Sequence, residues 1–316
     1  DLEFDGGVQF GSEQLNEARL TFYTGKIGDI HNPNANFVDP TDPPKDDATV
    51  SIIEPIIKKT LLGTSINDSS NNATQVVVGE EVYYRVVITV PEGHSAELTL
   101  VDLLDKGLAL KEITSISRSS SDLLLSNYAD LSSGVIDDPA DSVSVNYTEK
   151  TNGRDTLKIS FGETYNANKD NSVPETITVE YTAIVLNNQE IQSGKRLNNS
   201  ARLDWDLDGT TKQTAHSAAN NLRVIEPVLE VDKHVSLTEP LAPPSLPPES
   251  IIAEAGDKVY YTIDFQHNGT SQTNAYSVSL MDILPSELEL VTNPPFILSD
   301  PKGVIDSAGI LTSSDF

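Results

Sequence analysis

Cysteine is absent from the 316 residues, which excludes a disulfide framework and every thiolate metal site. A chain without disulfides is held by buried apolar surface, by ions or by some other covalent link. Positive charge is scarce: 21 Lys and Arg stand against 48 Asp and Glu, a formal net charge of -27. Such a single-sign field repels nucleic acid and anionic membrane, invites divalent cations and keeps a large chain soluble. Apolar runs are short. None approaches the roughly 18 residues that a membrane-spanning helix needs, so no membrane insertion is expected of this segment. No basic start followed by an apolar stretch marks a signal peptide; with the abrupt ends at Asp1 and Phe316, this gives the expectation of a longer protein seen in part.

Catalytic motifs are missing as well. His31, His94, His216, His234 and His267 are scattered, with none of the spacings of a zinc site. There is no Gly-x-Ser-x-Gly elbow and no phosphate loop, and carboxylates are so many that a glycosidase-like pair carries no information. The expectation is a protein that is not an enzyme and requires no cofactor. Aromatic residues make up 6% of the chain, with one tryptophan, so no ligand-stacking platform is visible.

What the chain does have is a repeat. Ile53-Glu54-Pro55-Ile56-Ile57-Lys58-Lys59 returns as Ile225-Glu226-Pro227 followed by Val228-Leu229-Glu230-Val231-Asp232-Lys233. Gly79-Glu80-Glu81-Val82-Tyr83-Tyr84 is answered by Gly256-Asp257-Lys258-Val259-Tyr260-Tyr261. Leu100-Val101-Asp102-Leu103-Leu104 is answered by Leu280-Met281-Asp282-Ile283-Leu284. A closing pattern, Asn-x-Ala-Arg-Leu-x-aromatic, occurs at Asn16 and again at Asn199. Landmarks in one order at long spacing mean tandem domains. They divide the chain into 1–49, the last strands of one module plus a linker; 50–224, a complete module; and 225–316, the first part of another.

Within the complete module, apolar alternation and β-branched enrichment predict strands over 49–62, 75–90, 96–104, 110–117, 143–147, 156–161, 177–186 and 199–205. Residues 27–49 read as loop from their turn chemistry. The stretch 119–141 is ambiguous, since Leu123-Leu124-Leu125 could open a short helix. Asn152-Gly153 signals a hairpin turn. Eight or so strands and no convincing helix give an all-β chain of tandem immunoglobulin-like β-sandwich modules, one complete and two partial. Trp205 is expected in the core. Pro240 to Pro248 reads as an extended, exposed excursion.

Asp204, Asp206 and Asp208, followed by Gly209, resemble the first half of a calcium loop, although Ala215 stands where the bidentate glutamate belongs. Calcium binding and an acidic strand-end turn are both open on this evidence of spacing.

Together the four repeated landmarks resemble the DUF11-type and fimbrial isopeptide-forming (D2-like) domains of bacterial surface proteins. The resemblance covers nearly the whole chain and implies an extracellular, cell-surface or filament-forming protein whose modules serve as stalk, fibre or coat. It also implies that a first-strand lysine can be joined to a last-strand asparagine with help from a buried carboxylate. Carried onto this chain, the lysine is Lys59 or Lys58, the asparagine Asn199, and the acid Asp102 or Glu180. Lys233 and Asp282 match in the last module, and Asn16 in the opening one. A lysine desolvated beside a core loses its charge and becomes nucleophilic, which gives the chemistry its physical basis.

Three functions follow as expectations. The first is a structural repeat whose partners are neighbouring modules or further copies of the same protein. The second is an adhesin module that binds a glycan or a host or partner protein, with calcium dependence left open. The third is assembly by strand exchange, in which residues 1–26 of one copy complete 225–316 of another.

Overall fold

The computed structural model describes residues 7–19, 45–66, 71–126, 150–151, 153–170, 172–207, 212–239, 250–275 and 278–291. The chain divides into two compact units, Asp1–Ala275 and Tyr276–Phe316. In the second, residues 278–291 contain a turn closed by Leu288 N–H donating to the Pro285 carbonyl, and no regular strand. The first is all-β: the described residues form seventeen strands and no helix.

Strands are numbered in chain order. One sheet of the central sandwich runs β3 (Ile56–Thr64), β5 (Glu81–Val90), β11 (Glu175–Val185), β7 (Leu108–Arg118). The facing sheet runs β14 (Lys212–His216), β13 (Ala201–Asp206), β6 (Gly93–Leu103), β10 (Arg154–Asn166), β8 (Leu123–Leu125), with β9 (Lys150–Thr151) also on β10. A small sheet of β12 (Arg196–Asn199), β15 (Asn220–Val224) and β4 (Gln75–Val76) joins them. Strand alternation fills the interior. Val82, Tyr84, Val86, Ile88 and Val90 of β5 face inward with Ile177, Val179, Tyr181 and Ala183 of β11; Leu98 and Leu100 of β6 meet Leu157, Ile159 and Phe161 of β10 and Leu203 and Trp205 of β13. These residues form one continuous apolar cluster, the layout of two packed sheets with one core.

Several sequence expectations need correction. The single strand expected over 49–62 is two: β2 (Lys45–Ser51) ends before Pro55, and β3 starts after it. Proline has no N–H to give to a ladder, so the chain changes sheets there. Lys45 to Thr49, expected as loop, lies in β2, because β1 (Glu13–Arg19) offers it an antiparallel partner that its own composition does not reveal. Leu123-Leu124-Leu125 is a strand: Leu123 and Leu125 point into the core and Leu124 outward, a period of two. Residues 143–147 and Pro240 to Pro248 lie outside the described residues, and the hairpin signal at 152–153 stands on Gly153, whose φ of 76° closes the β9–β10 turn.

The repeat has a structural counterpart in strand register. In β1–β2, Gln14 faces Val50, Leu15 faces Thr49 and Asn16 faces Ala48. In β12–β15, Leu197 faces Leu222, Asn198 faces Asn221 and Asn199 faces Asn220. Each pair therefore reaches its Ile-Glu-Pro seam at the same step. Beyond the seam, β3–β5 sets Lys59 opposite Val86 and Leu61 opposite Tyr84. The pair β16 (Leu229–Ser236) and β17 (Tyr260–His267) sets Lys233 opposite Ile263 and Val235 opposite Tyr261. Lysine and tyrosine thus occupy the same diagonal in both copies, despite the different distances of the two lysines from their prolines.

Residues ahead of β1 also enter the sandwich. Phe10 is fully buried in the core cluster. Its N–H donates to the His94 carbonyl at 3.1 Å, the His94 N–H donates to the Val8 carbonyl at 2.9 Å, and Trp205 Nε1 donates to the Phe10 carbonyl at 3.3 Å. Gly93 has φ 123° and lies so near this segment that a Cβ would meet the Val8 carbonyl oxygen at 2.4 Å.

Candidate functional site

Five polar side chains meet inside the apolar core. On β3, Ile57 and Lys59 alternate inward while Ile56 and Lys58 face solvent. On β6 the inward row Leu98, Leu100 ends at Asp102, flanked by Leu157 of β10 and Ala201 of β13. On β12, Leu197 and Asn199 face inward. Tyr84 and Tyr181 stand opposite each other on β5 and β11, one diagonal step from Lys59. All five are buried, and the Lys59 and Asp102 side chains have no exposed surface at all.

Their contacts form a chain. Lys59 Nζ donates to Asp102 Oδ2 in a short buried ion pair. The Tyr181 hydroxyl donates to the same Oδ2 at 2.5 Å, and Asn199 Nδ2 donates to Tyr181 Oη at 3.1 Å. The tyrosine proton is committed to the carboxylate, so Oη can only accept from the amide, which fixes the amide nitrogen toward it. The ammonium also lies over the rings of Tyr84, 4.5 Å from the centroid, and Tyr181, at 5.3 Å. The two rings are tilted by 30° with centroids 5.3 Å apart. Asn220, paired with Asn199, accepts from the Leu61 N–H at 3.2 Å and so ties the closing strands to the first one.

Electrostatics here are set by the loss of water. Burial lowers the Lys59 pKa to about 8, against the opposing attraction of Asp102. Burial raises the Tyr84 and Tyr181 hydroxyls well above the ordinary phenol range, and the negative charge of Asp102 pushes both further. The Asn199 amide opposes the rise at Tyr84, yet the Tyr84 hydroxyl makes no bond of hydrogen-bonding geometry. Asp102 Oδ1 and Asn199 Oδ1 are likewise buried without a partner. Unsatisfied polar atoms in an apolar core each cost about 1–3 kcal/mol, so this cluster is a local concentration of unfavourable free energy. It places an amine prone to lose its proton, a carboxyl able to take it, and a carboxamide within one hydrogen-bonded string.

Of the residues singled out from sequence, Lys59, Asp102 and Asn199 are brought together. Lys58 and Glu180 are not: Lys58 is exposed, and Glu180 lies on the outer face of β11, where it accepts from Arg85 at 2.6 Å. Asn16 is exposed on β1. Lys233 is exposed on β16 with its ammonium 4.5 Å from the centre of the Tyr261 ring, the same distance as Lys59 from Tyr84. Asp282 belongs to the second unit and is half-buried. Asp204 accepts from Arg202 at 3.1 Å and from Thr214 Oγ1 at 2.9 Å, while Asp206 lies 3.8 Å from Lys212. Asp208 is outside the described residues, among which no group of three His, Asp or Glu converges on a metal position.

Tyr84 and Tyr181 were not singled out from sequence. Tyr84 stands in a repeated landmark, as the Tyr of Gly-x-x-Val-x-Tyr, and Tyr181 in the alternating strand expected over 177–186, where packing accounts for both equally well.

No family model matches the chain, and no curated protein matches it. Solved structures similar to it include the major pilin BcpA of Bacillus cereus, at 10% identity and a TM-score of 0.33 over 60% of this chain and 52% of that one. They also include the full-length major pilin SpaD of Corynebacterium diphtheriae, at 10% and 0.33 over 84% and 76%. A third is the major pilin SpaA of Corynebacterium diphtheriae, at 17% and 0.28 over 58% and 39%, whose pilus assembly is described as modular with stabilizing isopeptide bonds. The chain thus spans about half the length of BcpA.

Proposed function

We propose that this chain is a load-bearing repeat region of an extracellular surface or filament protein, and that its central module closes an intramolecular isopeptide bond between Lys59 and Asn199. The observation that carries the reading is the convergence of Lys59, Asp102 and Asn199, from three separate strands, in a site with no exposed side-chain surface on the ion pair. A soluble domain gains nothing in stability from such a pair, since well-packed apolar residues of the same volume do as well or better. A covalent product removes the difficulty: the amide formed is neutral, and both charges disappear from the core.

The module's mechanical logic is consistent with this. The lysine is on β3, at the start of the sandwich, and the asparagine on β12, near its end. A bond between them carries tension directly from one to the other. The matched registers of β1–β2 with β12–β15, and of β16–β17 with β3–β5, support a chain of like modules joined at each Ile-Glu-Pro seam, with Asn16 and Lys233 as the corresponding half-sites of its neighbours.

Intact mass of the purified 316-residue chain tests the reading. Each bond removes ammonia, so the mass falls by about 17 Da, and tandem mass spectrometry finds the Lys59 and Asn199 peptides joined. A mass equal to that of the sequence sinks the proposal.

A further inference from the structure

We infer that Tyr181 is a catalytic proton carrier, which moves a proton from Asp102 to the departing nitrogen of Asn199 as the bond to Lys59 forms. This rests on the cross-link proposed above and names a group in it that the lysine, acid and asparagine alone do not supply.

Asp102 contacts Lys59 through Oδ2, but it has no direct hydrogen bond to the Asn199 amide; its other oxygen, Oδ1, and the amide oxygen are both without partners. Among the described residues, the hydrogen-bonded route between acid and amide passes through the Tyr181 hydroxyl, at 2.5 Å on the acid side and 3.1 Å on the amide side. Displacement of an amide nitrogen needs a proton on that nitrogen, because the bare amide anion is too basic to leave. Water cannot bring one: Asp102, Asn199, Tyr84 and Tyr181 are all essentially without exposed surface.

The string conducts the required proton in a balanced way. Lys59 Nζ gives a proton to Asp102 Oδ2 and becomes a neutral amine. Its lone pair attacks Asn199 Cγ, and the carbonyl electron pair moves onto Oδ1. Tyr181 then passes its hydroxyl proton to Nδ2 and takes the one held by Asp102. The Cγ–Nδ2 bond breaks, ammonia leaves, the carbonyl re-forms, and Asp102 accepts a second proton from Nζ. Of the five protons on the ammonium and carboxamide nitrogens, one stays on the new amide, three leave in ammonia and one remains on Asp102. Tyr181 ends as it began, protonated, which suits a hydroxyl that burial holds firmly in its neutral form.

The scheme has a signature that simple deprotonation of the lysine lacks. It needs the one proton shared by Lys59 and Asp102, and loss of that proton to solvent disables it. As the Lys59 pKa is about 8, the rate of bond formation is flat up to about pH 8 and falls above it. Were an unassisted amine the limiting species, the rate would climb through the same range.

The experiment starts from full chain recovered unfolded and not yet cross-linked from inclusion bodies, its mass equal to that of the sequence, and follows the loss of about 17 Da by intact mass as it first folds, for wild type and Tyr181→Phe, from pH 6 to 10, with near-ultraviolet circular dichroism as the measure of native packing. The expected result is a wild-type rate that falls above pH 8 and a Tyr181→Phe chain that regains native packing yet cross-links about 100-fold more slowly or worse, within the usual range for a lost acid–base group. Equal rates for the two chains overturn the relay while leaving the cross-link standing. A wild-type rate that rises across pH 8 also overturns it, and this measurement decides the matter if Tyr181→Phe fails to fold. A wild-type mass that never falls removes both the cross-link and the relay.

Discussion

Replacing Asn199 by alanine removes the electrophile and little else, since among the described residues its side chain makes one hydrogen bond, to Tyr181. In the native chain the proposed bond closes a loop of about 140 residues between Lys59 and Asn199, and the chain-entropy relation for a cross-link of that length gives about 5 kcal/mol of stabilisation at 25 °C. The lost hydrogen bond adds about 1 kcal/mol. For a module of this size each kcal/mol moves the melting temperature by about 2–4 °C, so Asn199→Ala is expected to melt about 10–25 °C below wild type by differential scanning calorimetry. The two contributions separate in a cycle with Lys59→Met. There the bond cannot form, and Asn199→Ala should cost only about the 1 kcal/mol of its hydrogen bond. If Asn199→Ala melts within about 2 °C of wild type, or if its loss is as large in the Lys59→Met background, the bond is not what stabilises the module.

Without the bond, Lys59 remains titratable and makes stability depend on pH. Its folded-state pKa of about 8 lies below the ordinary lysine value of 10.5, so between these the unfolded chain holds more protons and stability of Asn199→Ala rises with pH, by about 3 kcal/mol in all. The buried tyrosines, whose hydroxyls resist ionisation, reverse the trend above about pH 10, and urea titrations across pH 7–11 should show the maximum between. Asp102→Ala leaves a buried lysine without its counter-charge; it abolishes the mass loss and costs at least the 3–5 kcal/mol of a broken buried pair. Lys58→Ala and Glu180→Gln, on exposed faces, should leave both the mass loss and the melting temperature within about 2 °C of wild type. Pulled from its ends in a single-molecule force experiment, the wild-type chain should never release residues 60–198, whereas Asn199→Ala releases them and gains roughly 45–50 nm of length.

The sandwich was legible because strand alternation and the repeat both depend on local pattern, and the resemblance to isopeptide-forming domains put Lys59, Asp102 and Asn199 among the candidates. The sequence left Lys58 and Lys59 undecided for a reason: Ile56 and Ile57 are both apolar, so the phase of β3 is not written in its composition, and only the pairing of Lys59 with Val86 sets it. The choice between Asp102 and Glu180 was obscured similarly, Asp102 lying in the nearly continuous apolar run from Leu98 to Leu104. Tyr181 was hidden for a different reason. Nothing in a strand distinguishes a tyrosine that packs from one whose hydroxyl links two groups from other strands. The break at Pro55 was present in the sequence but was outweighed by the apolar residues on both sides of it.

The segment ahead of β1 has a consequence for how such a protein bends. Phe10 belongs, by chain position, to what precedes the central sandwich, yet its ring is a piece of that sandwich's core and its carbonyl is held by Trp205. Flexing the chain at this point means drawing a phenyl ring out into water, at about 2–3 kcal/mol by its apolar area, several times the thermal energy. The joint therefore behaves as a detent: the ring stays seated most of the time, and each excursion is followed by a return to the same seat.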